Sequence, residues 1–154
     1  MTTTLVAHLG PAEIGKLSSH YLNEGRKQES WRIEGIEITD NRLDARVSMS
    51  STYVSGSDSH GFHLTIFSTL EFLSQLMILY AHVWAGLPEK RREGWMVESS
   101  TRSLRAIRST ENIRVEMTVL KMRKRGENLY CVADYRVTDD RDGLFEASLK
   151  GFLS

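Results

Sequence analysis

The sequence predicts an α+β fold in which an antiparallel sheet wraps around one long central helix. The segment 64–85 is apolar around most of a helical circumference, which is typical of a buried helix. The other periodic segments alternate apolar and polar residues with a period of two, which indicates half-buried strands. Two of these strands precede the apolar segment and four follow it. Strands on both sides of one apolar helix indicate a sheet that curls onto that helix.

The individual elements have separate signals. A short helix is predicted over residues 11–22, because Pro11 suits the first helical turn. The first strand changes phase at Glu34-Gly35, which indicates a β-bulge. Gly86 and Pro88 end the central helix. The predicted strands are residues 30–39, 43–49, 95–108, 113–119, 130–138 and 145–149.

Composition predicts a single cytoplasmic domain over residues 1–154, with residues 1–29 as a helical N-terminal extension. Twenty Lys and Arg balance twenty Asp and Glu, which disfavours nucleic acid and anionic membranes as partners. The N-terminus lacks the basic and apolar segments of a secretion signal. Glu71, Gln75 and His82 interrupt the apolar segment and disfavour a membrane span. The main alternative fold is a cystatin-like cone, which usually groups its helices before its sheet. The two strands that precede the central helix therefore disfavour it.

Two basic clusters, residues 89–92 and 121–125, are either solvated surface or a docking surface for an acidic partner. Cys131 is the one cysteine, so the sequence contains neither a disulfide framework nor a thiolate zinc site. Its apolar surroundings predict a buried, inert thiol. The sequence has neither a metal-ligand cluster nor a phosphate-binding loop, so no metal and no cofactor are expected.

The order of elements and the segment 104–119 resemble the hot-dog thioesterase and dehydratase superfamily, over about residues 30–154. In this family the sheet wraps around the central helix. The segment departs from the common family pattern at two places, where Ala106 replaces a proline and Thr110-Glu111 replace Gly-Asp. The resemblance also implies a homodimer or a higher homo-oligomer, because hot-dog domains pair through sheet edges.

Around the central helix the chain resembles bacterial hot-dog proteins of the long-chain fatty acyl thioesterase type. The resemblance rests on Tyr53, His60, Glu71 and Gln75. Related proteins take part in the biosynthesis of β-amino acid starter units and of isonitrile lipopeptides. The resemblance implies an acyl thioester substrate on an acyl carrier protein or on CoA. It also implies conjugate addition of glycine to an α,β-unsaturated acyl group, which gives an N-carboxymethyl-β-amino acyl product.

Three residues are predicted to be catalytic: Tyr53, His60 and Glu71. If Glu71 faces a buried cleft, desolvation raises its pKa, which suits a general base at neutral pH. Alternatively, Glu71 lies on a solvated stripe of the helix or pairs with Arg102 or Arg105. His60 can transfer a proton at neutral pH, or is a surface or capping histidine. The hydroxyl of Tyr53 can bond the thioester oxygen or protonate a carbanion, or its ring packs at a strand end.

Six residues are predicted to bind substrate: Gly61, Phe62, His63, Gln75, Arg102 and Arg105. Backbone amides at the start of a helix point outward and favour negative charge, so residues 61–64 are expected to polarise the thioester carbonyl. The carboxylate of glycine needs a cation, which Arg102, Arg105 or His63 is expected to supply.

Three functions are consistent with these residues. The leading hypothesis is glycine addition, in which His60 or Glu71 deprotonates the glycine ammonium and Tyr53 or His60 protonates the α-carbon. The second is thioester hydrolysis, in which Glu71 or His60 activates water. The third is a non-catalytic acyl-binding subunit. The first two use the same residues, so the sequence does not separate them.

Overall fold

The computed structural model describes residues 7–18, 29–54, 60–89 and 92–154. The order of elements in these parts of the chain is the predicted one: a short helix, two strands, a long helix and four strands. The elements are α1 (Pro11–Leu17), β1 (Ser30–Thr39), β2 (Arg42–Ser51), α2 (Ile66–Trp84), β3 (Gly94–Arg105), β4 (Ile113–Arg125), β5 (Asn128–Thr138) and β6 (Leu144–Leu153).

The six strands form one antiparallel sheet in the order β1-β2-β4-β5-β6-β3, so β1 and β3 are its edges. The predicted bulge is present, because the register of β1 against β2 shifts between Ile33 and Gly35. The register of β4 against β5 shifts between Val119 and Lys121, which leaves Leu120 without a paired residue in β5. β3 has two further shifts against β6.

The core lies between α2 and one face of the sheet, which we call the inner face. Alternate residues of β4 are buried there from Ile113 to Val119, as their apolar alternation predicts. On the helix, Phe72, Leu73 and Leu76 have no exposed surface. Burying an aliphatic or aromatic side chain of this size contributes roughly 1.5–3 kcal/mol. This packing confirms the α+β architecture with one helix held by a curled sheet.

Several boundaries differ from the prediction. α1 ends at Leu17, because Ser18 has an extended backbone, and residues 19–22 of the predicted helix lie outside the described residues. α2 begins at Ile66, because the hydroxyl of Thr65 accepts a hydrogen bond from the Ser68 amide and caps the helix. β3 ends at Arg105, three residues early, and β4 continues to Arg125.

α2 is less buried than the sequence predicts. Phe67, Glu71 and Val83 are exposed, so one side of the helix is uncovered in the protomer. By length and apolar composition α2 meets the criteria for a membrane-crossing helix, but half of that window is buried inside the protein. Its contact with the sheet accounts for the apolar composition, as expected for the core helix of a folded domain.

Candidate active site

Glu71 lies in the second turn of α2 and is exposed in the protomer. Its Oε1 accepts a hydrogen bond of 3.0 Å from the indole N–H of Trp31 in β1. The Trp31 ring also packs edge-on against Phe72, with ring centroids 6.0 Å apart. Trp31 therefore fixes the direction of the Glu71 carboxylate. This contact is not visible in the sequence, because no local pattern pairs residues forty positions apart.

The prediction that Glu71 faces a buried cleft is wrong for the protomer. The Glu71 side chain is exposed, so the structure supports the alternative in which Glu71 lies on a solvated stripe of the helix. The reason is geometric. The helix packs the neighbouring Phe72 and Leu73 against the sheet, so Glu71 projects from the side of the helix that faces away from the sheet. Gln75 lies one turn further along the same side and is half-buried.

Tyr53 and His60 lie at the same end of the molecule as Glu71. Ser51 pairs with Ser30 in the β1–β2 ribbon, so the half-buried Tyr53 follows close to the strand that holds Trp31. His60 is exposed, and its carbonyl accepts a hydrogen bond of 3.3 Å from Arg108. No direct hydrogen bond joins Tyr53, His60 and Glu71 within the described residues, and residues 55–59 lie outside them.

The start of α2 is organised differently from the prediction. Thr65 is the N-cap, so residues 61–64 precede the helix, and the Leu64 amide donates to the Ile107 carbonyl at 2.8 Å. The helix-start amides are therefore those of Ile66 and Phe67. Gly61 has a left-handed backbone with φ of 76°, which suits glycine. The Phe62 side chain packs against the core and His63 is exposed.

Glu29 is a buried carboxylate that the sequence analysis missed. It is only 7% exposed, and its Oε1 lies 3.4 Å from the Thr65 hydroxyl, which donates to it. A negative charge next to a helix start is favourable, because the N-terminal amides carry partial positive charge. Glu29 therefore adds a negative charge at the start of α2 through its contact with Thr65.

Arg102 and Arg105 do not reach Glu71. Arg102 pairs with Glu146 at 3.0 Å on the outer face of the sheet, away from α2. Arg105 donates to the Asp142 carbonyl at 2.7 Å and pairs with its carboxylate at 3.3 Å. The prediction that either arginine pairs with Glu71 or binds a glycine carboxylate beside the helix is wrong for the protomer. Strand alternation turns Arg102 outward, and the β5–β6 turn holds Arg105.

Asp139 holds the loop that precedes the candidate site. Its Oδ2 accepts hydrogen bonds from the amides of Arg108 and Ser109, both at 3.0 Å. Its Oδ1 accepts from Arg141 at 2.9 Å and from Gly143 at 2.7 Å. Burial raises the pKa of Asp139, but the four amides together outweigh burial and lower it below its usual value. These four hydrogen bonds, which we call the Asp139 clamp, fix residues 107–109. The Ile107 carbonyl in turn accepts the hydrogen bond from the Leu64 amide.

A cavity of about 260 Å³ lies between the second half of α2 and the inner face of β3, β5 and β6. The helix contributes Ser74, Met77, Ile78 and Ala81 to its wall. On the sheet side the wall includes Gly94, Trp95, Met96, Leu129, Cys131, Leu149, Gly151, Phe152 and Leu153. The lining is mostly apolar, which suits a hydrocarbon group.

Cys131 lines this cavity from β5 and is 2% exposed. Burial raises the pKa of its thiol to about 12, so the thiolate is not formed at neutral pH. The predicted inert, buried thiol is confirmed. Within the described ranges, no group of three or more His, Cys, Asp and Glu side chains is placed to hold a metal ion.

No family model matches this chain, and no curated protein matches it in sequence. Solved structures do match. A hypothetical thioesterase from Streptococcus pneumoniae with coenzyme A has a TM-score of 0.52 at 16% identity, over 81% of this chain and 86% of that one. A Streptococcus mutans protein bound to acetyl CoA has a TM-score of 0.51 at 14% identity, over 88% and 97%. A Haemophilus influenzae thioesterase has a TM-score of 0.52 at 13% identity, over 96% and 92%.

The chain has the hot-dog fold. This confirms the fold that the sequence resemblance implied. At these identities the similarity concerns the fold.

Proposed function

We propose that this hot-dog protein acts on an acyl-CoA thioester and hydrolyses it, with Glu71 as the general base. The observation that carries the proposal is the apolar cavity beside α2, which begins one turn after Glu71. Two structures with the same fold contain coenzyme A or acetyl CoA, which supports a CoA thioester as the substrate. We also propose that the protein works in the cytoplasm.

The geometry of α2 relates the cavity to the carboxylate. Ser74 lies three residues after Glu71, which is about 4.5 Å along the helix axis, and Ala81 lies about 15 Å from Glu71. An acyl chain in the cavity therefore runs parallel to α2, with its thioester end toward Glu71. Trp31 and Gln75 lie beside this end, so the polar groups are concentrated where the thioester is expected.

In the proposed reaction Glu71 accepts a proton from water while the water oxygen attacks the thioester carbonyl carbon. Trp31 positions the carboxylate through its N–H. The carbon–sulfur bond then breaks, and the leaving thiolate takes the proton from Glu71 to give free CoA and a carboxylic acid. The amides of Ile66 and Phe67, with the Tyr53 hydroxyl, are the proposed donors to the developing oxyanion.

A second copy of the chain is proposed to complete this site. β3 is an edge strand with exposed Val97 and Leu104, and unpaired edges with apolar side chains favour association. The uncovered side of α2 also carries exposed apolar residues, Phe67 and Val83, beside Glu71. A homodimer that covers both surfaces would exclude water around Glu71, which raises the pKa of a carboxylate.

Substituting Val97 by Asp is expected to convert a dimer into a monomer, because a charge at the paired edge has to be desolvated on association. Sedimentation equilibrium of the wild type and the variant measures this change. Leu120→Asp is the matched control, since Leu120 is also an exposed apolar residue at a strand irregularity but lies away from the edge. A monomeric wild type, or equal dissociation of both variants, would contradict the proposal.

Conjugate addition of glycine is the second candidate. In its favour, Glu71 is accessible in the protomer and His63 is an exposed histidine just before α2, so a small amine and its carboxylate have access. Against it, Arg102 and Arg105 are engaged by Glu146 and Asp142. Only His63 of the three predicted carboxylate partners remains close to the helix start.

Mass spectrometry of reactions with crotonyl-CoA and decanoyl-CoA, each with and without glycine, tests the proposal. We expect free acid from decanoyl-CoA regardless of glycine. A product that gains the mass of one glycine from crotonyl-CoA would establish addition in place of hydrolysis. Saturable binding without any product would indicate a non-catalytic acyl-binding subunit. Reactions with the same acyl groups on an acyl carrier protein show which carrier is preferred.

A further inference from the structure

A cationic and aromatic patch lies on the outer face of the sheet, at the β4–β5 hairpin. We call it the hairpin patch. Its residues line a depression of about 460 Å³, on the face opposite α2. They are Lys121, Arg123, Arg125, Asn128, Tyr130 and Phe152. It opens on the face opposite the cavity, although Phe152 borders both, and the proposed thioester chemistry does not use it.

A bulge in β4 creates this patch. Before the bulge, odd-numbered residues such as Val119 face the core. Leu120 is skipped in the register, so Lys121, Arg123 and Arg125 point outward although they are also odd-numbered. Met122, between them, packs against the core. A bulge redirects side chains in this way and is frequent next to functional sites.

The cations of the hairpin patch are not neutralised by their neighbours. Their partners across the ladder to β5 are Val132, Tyr130 and Asn128, none of which is acidic. Within the parts of the chain that the structure describes, none of the three cations has an ion pair. Elsewhere on the outer face, cross-strand pairs do form, as for Arg102 with Glu146 at 3.0 Å and Lys150 with Glu98 at 3.1 Å.

Three aromatic rings continue the patch toward the edge of the sheet. The register places Arg123 opposite Tyr130, Tyr130 opposite Phe152, and Phe152 opposite Trp95. The rings of Trp95 and Phe152 stack at a centroid distance of 6.4 Å and an interplanar angle of 20°. Trp95 remains 49% exposed, so this row offers flat apolar surface next to the cations.

We propose that the hairpin patch is a binding site for a phosphorylated nucleotide. A nucleotide combines a flat base, which stacks on aromatic rings, with phosphates, which Arg and Lys bind through charge-assisted hydrogen bonds. Asn128 adds an amide donor and an acceptor for the edge of a base. The patch spans three strands at the depression, which suits one nucleotide better than an extended strand of nucleic acid.

Calorimetric titration with ADP tests the proposal on the full-length protein. We expect saturable binding with a Kd below about 1 mM, weakening with added salt because exposed phosphate contacts are screened. Adenosine and inorganic pyrophosphate, which each present half of the ligand, are expected to bind at least about tenfold more weakly than ADP. Equal binding of pyrophosphate and ADP would indicate a simple anion site and overturn the proposal.

Arg123→Gln and Tyr130→Leu are each expected to weaken ADP binding by about tenfold. Arg123 is exposed, so its variant keeps the proposal testable if the Tyr130 variant folds poorly. Arg46→Gln is the matched control, because Arg46 is an exposed cation on the same face in β2. Unchanged affinity in Arg123→Gln, no saturation with ADP, or displacement of ADP by a single-stranded oligonucleotide that binds more tightly would each overturn the assignment.

Discussion

The two halves of α2 differ in how they contact the sheet. The first half is held by polar contacts: the Leu64 amide just before it bonds Ile107, Thr65 caps it, and Trp31 bonds Glu71. The second half faces a cavity whose walls are mostly apolar, and Gly94 and Gly151 allow the sheet to approach it closely. A Cβ at Gly94 would lie 2.8 Å from Cδ1 of Ile78, and a Cβ at Gly151 would lie 3.1 Å from Sδ of Met77, both on α2.

This difference teaches how one helix can serve two purposes. Directional hydrogen bonds fix the orientation of a reacting group, whereas apolar walls bind a chain without fixing its position. A protein that only stored apolar ligands would need the second half alone. The polar first half therefore favours chemistry at that end, and the following substitutions test each half separately.

The largest effect is expected from Glu71→Gln, which removes the proposed base but keeps the shape of the side chain. We expect the turnover number for decanoyl-CoA to fall roughly 100-fold or more. Binding of the acyl chain should be unchanged, because the cavity is not altered. Glu37→Gln, at an exposed glutamate of β1, serves as the control. If the Glu71→Gln enzyme keeps its activity, the first half of α2 does not supply the general base.

Asp139→Asn is expected to lower the free energy of unfolding by about 2–4 kcal/mol, because a buried acceptor of four amides loses its charge and one oxygen. Chemical denaturation at neutral pH measures this loss. The neighbouring Asp140→Asn removes a surface pair with Arg114 at 2.9 Å and should cost less than about 1 kcal/mol.

The pH dependence of this loss follows from the lowered pKa of Asp139. The carboxylate stabilises the fold above its unfolded pKa of about 3.9, and this contribution disappears as the pH falls through the lower pKa of the folded state. The stability difference between wild type and Asp139→Asn should therefore be constant near neutrality and shrink below about pH 4. If the stability difference between the two proteins grows on acidification, the Asp139 clamp does not stabilise the fold through its carboxylate.

Ala81→Leu should affect the second half alone. Ala81 is 2% exposed and lines the cavity, so three added carbons reduce the space for a long chain. We expect KM for decanoyl-CoA to rise about tenfold, which corresponds to roughly 1.4 kcal/mol, while acetyl-CoA is unaffected. Val83→Leu, on the exposed side of α2, is the matched control. If KM changes equally for decanoyl-CoA and acetyl-CoA, the acyl chain does not bind in this cavity.

Most of the fold could be predicted from the sequence, because the period of the apolar residues differs between α2 and the strands. The bulge at Gly35 and the alternation of Ile113 and Val115 are visible in local sequence. The second bulge, at Leu120, was missed, because a run of charged residues hides the change of phase. The start of α2 was also misplaced, since Thr65 caps the helix within an otherwise apolar run.

The site was less predictable than the fold. Glu71 stands out in the sequence because a charge interrupts an apolar segment, but its exposure depends on which side of α2 faces the sheet. Trp31, Glu29 and Asp139 act through contacts with distant residues, which no local spacing reveals. Arg102 was predicted to bind a substrate carboxylate beside the helix, but the alternation of β3 places it opposite Glu146 on the outer face.

The bulge at Leu120 also bears on how the gene for this protein can change. Upstream of it, odd positions belong to the interior of the domain; downstream of it, even positions do. A deletion of this one codon would bring the two halves of β4 into a common phase. In such a shortened chain Lys121 would follow Val119 directly, so Met122 would still face the interior and Lys121 and Arg123 the exterior, and only the local bend of the bulge would be lost.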